Sequence, residues 1–155
     1  MGTAENKETF RRFINMLNAR DLSALDEVVH EECVYRTSDG DEYHGIDSMK
    51  GLMETSWATI SDLEFHVQEV VAEGNSLACL YQWTGTHDGS GLGIEPTNNQ
   101  IDLMVSGFAK FQDGKIIESY DSYNMLDFLS QLGALPEGVM ERAEEVLIDP
   151  LKSNR

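Results

Sequence analysis

A chain of 155 residues is the size of one domain, and its 11 Lys and Arg against 28 Asp and Glu leave a formal charge of −17. The basic residues are scattered, with only Arg11 and Arg12 adjacent, so nothing in the chain suits nucleic acid or an anionic membrane surface. At 41% hydrophobic residues the chain can bury a core, and its acidity belongs to the surface of a folded protein. Two explanations of that surface stay open, a high-salt cytoplasm or a very soluble acidic protein, and the response of the melting temperature to KCl separates them.

From Glu5 to Ala19 the apolar residues Phe10, Phe13, Ile14 and Leu17 recur at helical spacing and predict an amphipathic helix. A second helix is expected from Leu22 to Val29, opened by Ser23 with Asp26 and Glu27 in its first turn, where carboxylates complement exposed amides. A short strand over Cys33–Thr37 and the polar loop Ser38–Glu42 lead to a third helix, Ile46–Ile60, with Ile46, Met49, Met53, Trp57 and Ile60 on one face. From Leu63 the period changes to two. Leu63, Phe65, Val67 and Val71 share one side of a strand that turns at Glu73-Gly74-Asn75, and a long strand follows from Leu77 to His87.

The glycine-rich stretch Asp88–Gly93 lacks the Walker lysine, the GxGxxG spacing and a following helix, so it reads as a mobile rim rather than a phosphate cradle. A strand over Ile101–Phe111, the hairpin turn Asp113-Gly114 and a returning strand Lys115–Tyr123 come next. Asn124 is placed to cap a helix Met125–Leu132 that Gly133 ends, and a short helix near Val139–Leu147 belongs to the tail. Helices first and a meandering sheet afterwards indicate one α+β domain over 1–155, with a core at about 5–136 and a peripheral tail at about 137–155. A strongly curved, mostly antiparallel sheet wrapped around the N-terminal helices would form a cone with a pocket at its open end.

Cys33 and Cys79 lie in apolar stretches without CxxC or zinc spacing and read as reduced thiols of a cytoplasmic protein. No apolar run approaches the roughly 18 residues of a membrane span. Asp39, Asp41, Glu42 and His44 lack calcium-loop spacing and read as a solvated turn, so no metal site is expected.

Residues two apart on a strand share a face, which groups Ile117, Ser119, Asp121 and Tyr123 on one strand and Leu77, Cys79, Tyr81, Trp83 and His87 on another. If these faces line the concave side, Asp121 is a carboxylate among apolar neighbours, with its pKa raised by desolvation and fit to move a proton. If the faces are reversed, Asp121 is solvated or helps to cap the helix at Asn124. His87 ends its strand where side chains reach a cavity mouth, and is either a base or a surface hydrogen-bonding residue. Trp57, Trp83 and Tyr35 are either an aromatic pocket wall or core.

The runs Gly85-Thr86-His87, Gly93-Ile94-Glu95-Pro96-Thr97, Asp113-Gly114-Lys115-Ile116-Ile117-Glu118 and Gln131-Leu132-Gly133-Ala134-Leu135-Pro136, with Asp21–Val29 near the start, resemble the SnoaL-like polyketide cyclase family, often labelled ester cyclases. The resemblance implies the cone-shaped α+β barrel of the nuclear transport factor 2-like superfamily, commonly a homodimer through the outer sheet. It also implies ring closure by intramolecular aldol condensation without metal or cofactor. The family's acid/base aspartate carries over to Asp121 in Glu118-Ser119-Tyr120-Asp121, whereas the family's His and Trp are replaced by Ser119 and Tyr120. A histidine of the preceding strand in studied cyclases aligns near Gly107, and a "Phe-Val-Asp-His" stretch reads Cys33-Val34-Tyr35-Arg36 here.

The leading expectation is a cofactor-independent enzyme with Asp121 as general acid/base on a small apolar or polyketide-like carbonyl compound. His87 or Tyr35 would bond the developing enolate, and Trp57, Trp83 and Tyr123 would shape the cavity. Two alternatives share the scaffold: a non-catalytic ligand-binding or dimerisation protein, and an isomerase or hydrolase.

Overall fold

The computed structural model describes residues 2–145. Helix α1 (Thr3–Ala19) begins where the Glu5 carboxylate accepts the Gly2 amide at 2.8 Å, and it ends at Arg20 in the left-handed region. Its Phe10, Ile14 and Leu17 are buried, one side of a 3.6-residue repeat. The Asn18 side chain then bonds both backbone groups of Phe65, donating at 2.9 Å and accepting at 2.8 Å, which ties the helix to an edge strand.

The expected second helix is a correction. Only a 3-10 turn, Leu25–Glu27, forms, and Val29 already opens strand β1 (Val29–Arg36). Ser23 does not cap it; its amide is instead taken by the Asp21 carboxylate at 3.0 Å. Val28 and Val29 are fully buried, and β-branched residues with a sheet to join leave too short a segment for a helix to persist. At the end of the expected loop Ser38–Glu42, the segment Glu42–His44 pairs with β1 as a three-residue strand, β2.

Helix α2 (Gly45–Thr59) is followed by β3 (Glu64–Glu73), β4 (Ser76–Thr86), β5 (Gln100–Gln112), β6 (Lys115–Tyr123), α3 (Met125–Gln131) and α4 (Val139–Ala143). Asn124 caps α3 by accepting the Asp127 amide at 3.1 Å, and Gly133 follows in the left-handed region, as the sequence predicts. The part of the expected last helix beyond residue 145 lies outside the described residues.

The fold is α+β. Six strands form one mixed sheet in the order β2-β1-β6-β5-β4-β3, antiparallel except for the parallel pair β1 and β6. The sheet does not close: β2 and β3 are its edges. Irregular registers between Val29 and Val34, Val67 and Glu69, and Lys110 and Phe111 bend it, as bulges do. α1 packs against β3, β4 and β6 and α2 against β1 and β2, so the concave face is roofed by helices. No described helix is long and apolar enough to cross a membrane.

Candidate active site

Between helices and sheet lies a cavity of about 280 Å³. α2 contributes Met49, Leu52, Met53 and Ser56, the i, i+3, i+4, i+7 set of one helical face. β4 sends down Cys79, Tyr81 and Trp83, and β6 sends Ser119, Asp121 and Tyr123. Strand alternation therefore puts Asp121 on the concave side, and its open question of facing is settled by position.

Asp121 is 9% exposed. The Tyr35 hydroxyl donates to its Oδ2 at 2.6 Å, across the parallel pairing of β1 and β6. Burial raises its pKa to about 6, and the Tyr35 and Tyr81 hydroxyls, which favour the anion, pull it back. The phenols are raised as well: burial first, then the Asp121 charge, hold Tyr35 and Tyr81 well above the ordinary range. The result is a carboxylate that changes protonation near neutral pH beside two phenols that keep their protons.

Gly107 stands directly across from Asp121 on β5 and across from Cys79 on β4. A Cβ built there would sit 2.7 Å from Cys79 Sγ, 3.0 Å from Tyr81 Cε1 and 3.1 Å from Asp121 Oδ1. The thiol thus occupies the space that a residue 107 side chain would need, and the row keeps Oδ1 clear of any imidazole. The Cys79 thiol itself is pushed up to about 12 by burial and by the Asp121 charge, so it is a neutral wall rather than a nucleophile.

Ser38 was not singled out by sequence reasoning. Its hydroxyl donates to the Asp121 carbonyl at 3.1 Å and accepts the Tyr123 amide at 2.9 Å. β1 has stopped pairing with β6 at Arg36 and Tyr120, so this side chain satisfies the backbone groups that the departing strand leaves open. A serine just after a strand is the only sequence signal for such a role, and it is a common one. In the sequence Tyr81 stands out only as one member of the face it shares with Cys79 and Trp83.

Tyr35, Trp83 and Tyr123 line the cavity, with Trp83 and Tyr123 ring centroids 5.0 Å apart. Trp57 and His87 do not, and both expectations are corrected. Ser56, not Trp57, completes the inward face of α2; one residue further round the helix, Trp57 turns aside under the Arg20 guanidinium, 5.8 Å from its ring. β4 beyond Trp83 passes beneath residues 60–63, so close that a Cβ on Gly85 would strike the Ile60 side chain.

His87, two positions on, is therefore sealed in, bridged to Ile60, with Nδ1 2.9 Å from the Thr97 hydroxyl and Nε2 buried without a hydrogen-bond partner among the described residues. The glycine-rich loop is docked rather than free. Gly89 and Gly91 donate to the Thr59 and Ala58 carbonyls at 3.0 and 3.2 Å, and a Cβ on either would collide with the end of α2. Past this anchor, Leu92 and Ile94 reach the cavity as its rim. Among the described residues, no three His, Cys, Asp or Glu side chains are grouped to hold a metal ion.

The family model for SnoaL-like polyketide cyclase matches residues 7–132. Among solved structures, the chain is similar to AclR from Streptomyces galilaeus, a proposed hydroxylase, at 30% identity over 87% of this chain and 100% of that one, with a TM-score of 0.75. Two proposed polyketide cyclases share the fold. One, from Jannaschia sp. CCS1, is 20% identical with a TM-score of 0.79 over 86% of this chain and 95% of its own. The other, IdmH from Streptomyces antibioticus, is 24% identical with a TM-score of 0.70 over 83% and 98%. No curated protein sequence matches significantly. With a family model spanning four fifths of its length and a cavity built on the strand that carries Asp121, the chain belongs to the SnoaL-like polyketide cyclase family.

Proposed function

We propose that this protein is a cofactor-independent enzyme in which Asp121 is the general acid/base for a carbonyl compound bound in the apolar cavity. The observation that carries the reading is the Asp121 carboxyl itself, buried, facing the cavity and held at about 6. A base is most effective when its pKa lies near the working pH. Oδ2 is engaged by Tyr35, so Oδ1, over Gly107, takes the proton from the carbon next to a carbonyl. As Asp121 takes up the proton its pull on the phenols weakens, and Tyr35 or Tyr81 turns its single O–H from the carboxyl to the developing enolate oxygen. In an aldol ring closure that carbon attacks a second carbonyl, and protonated Asp121 returns its proton to the new alkoxide. Trp83 and Tyr123 form the wall that excludes water.

The test is exchange of the α-proton of an aromatic ketone for deuterium, followed by NMR. Wild type exchanges it and Asp121→Asn does not; equal exchange in the two removes Asp121 from the mechanism. A second reading, a non-catalytic ligand carrier, is favoured by Gly107 and Ser119, where characterised members have an imidazole, and tight binding without exchange would support it.

The protein is further proposed to be a cytoplasmic homodimer. The outer sheet face exposes Leu80, Met104, Phe108 and Tyr120, with Phe108 and Tyr120 paired across β5 and β6, an apolar set suited to a second copy. Phe108→Glu is expected to halve the mass seen in light scattering.

A further inference from the structure

The cavity carries a charge pattern that its shape does not explain. Among the described residues that line it, the carboxylates are Asp121 at the floor and Asp39 at the mouth, and no lysine, arginine or histidine accompanies them. Asp39 lies on the turn between β1 and β2. Its Oδ1 is taken by the Thr37 hydroxyl and, at 3.2 Å, by the Asp41 amide, while no described group donates to Oδ2. Tyr43 and Tyr123 line the same opening, with Tyr43 6.2 Å from Tyr35 between ring centroids.

The Asp39 charge reaches both rings. Tyr43 is raised by burial and then by Asp41 and Asp39; Tyr123 is pushed up to about 12 by burial and then by Asp39. Arg36, on the neighbouring strand, is committed to Glu42 at 2.6 Å and Glu118 at 3.6 Å.

A carboxylate or phosphate entering this space would meet like charge and find no cation, where an unpaired ion is most costly. A protonated amine would meet a carboxylate oxygen and two phenol rings. The −17 charge of the whole chain adds a field that concentrates cations at its openings. We propose that the ligand of this cavity carries a protonated amine at its outer end, held at the mouth between Asp39 and the rings of Tyr43 and Tyr123. The assignment rests on the acid/base reading only for the buried end of the ligand, a carbonyl toward Asp121.

Three probes test it: 2-acetylnaphthalene bearing, on the far ring, an aminomethyl, a methyl or a carboxymethyl group, titrated by calorimetry. The amine is expected to bind about three- to tenfold tighter than the methyl compound, and the acid most weakly. Asp39→Asn brings the amine down to the methyl compound and leaves the methyl compound within about twofold, which also reports that the variant is folded. The advantage shrinks between about 0.05 and 0.5 M KCl. Equal affinities, or an amine preference that survives Asp39→Asn, overturn the charge assignment and leave the acid/base reading standing, since α-proton exchange of the methyl probe tests that separately. Failure of all three to bind overturns both.

Discussion

Asp121 and His87 are two buried titratable side chains on the inward side of the same sheet, and they have opposite surroundings. Asp121 lies mid-floor with two phenols at its side and open cavity before it; His87 lies past the point where β4 dives under residues 60–63, with packed chain on every side. Burial alone marks a polar group as constrained. A chemical role also needs vacant space within reach of the group, and that depends on where the roof comes down.

The largest expected effect separates the two directly. Asp121→Asn should lower turnover by about 10² to 10⁴, or roughly 3–5 kcal/mol of barrier, while His87→Gln leaves it within a few fold. Comparable losses in α-proton exchange would erase the distinction.

Stability against pH should show the next effect. Folding raises the Asp121 pKa from 3.8 to about 6, so between those values the native state holds a proton that the unfolded chain has lost. Stability therefore falls as pH rises through this window, by about 3 kcal/mol, and the full penalty is present above pH 6. Asp121→Asn removes it. In urea titrations the variant should exceed wild type at pH 8 and match it near pH 4; a constant difference at both would contradict the assigned burial.

His87→Ala should act on stability instead, costing about 2–4 kcal/mol through the cavity left and the freed Thr97 hydroxyl. Gly91→Ala is expected to cost about 1–3 kcal/mol, because its Cβ would lie 2.5 Å from the Thr55 carbonyl oxygen. An unchanged denaturation midpoint would mean that the loop is not docked on α2.

Much of this arrangement was legible in the residues. The alternation that groups Ser119, Asp121 and Tyr123 also predicts their shared face, and Asp113-Gly114 and Asn124 mark turn and cap because their local chemistry is sufficient. What escaped depended on long-range contact. Val28 and Val29 are apolar enough for a helix face, and only the presence of β6 draws Val29 into a strand, with the Val28 carbonyl accepting the Ile116 amide beside it. His87 obeys the same period as Trp83, and period carries no information about Ile60 folding over it. The glycines at 89 and 91 read as freedom in the sequence, while their physical use is the close approach of two backbones. Ser38 matters only because β1 leaves β6 beside it.

The bond between Tyr35 and Asp121 joins residues 86 positions apart, through a parallel pairing of the first strand with the last. Loop closure over so long a span is a late and slow event in folding. On a ribosome, a chain released as far as β5 has its hairpins but not the strand that carries Asp121, and its first strand exposes an unpaired edge. The paired Tyr35 and Asp121 of the cavity floor thus arrive in a single step when β6 slots between β1 and β5, so that partly made or clipped chains hold no partial version of that floor.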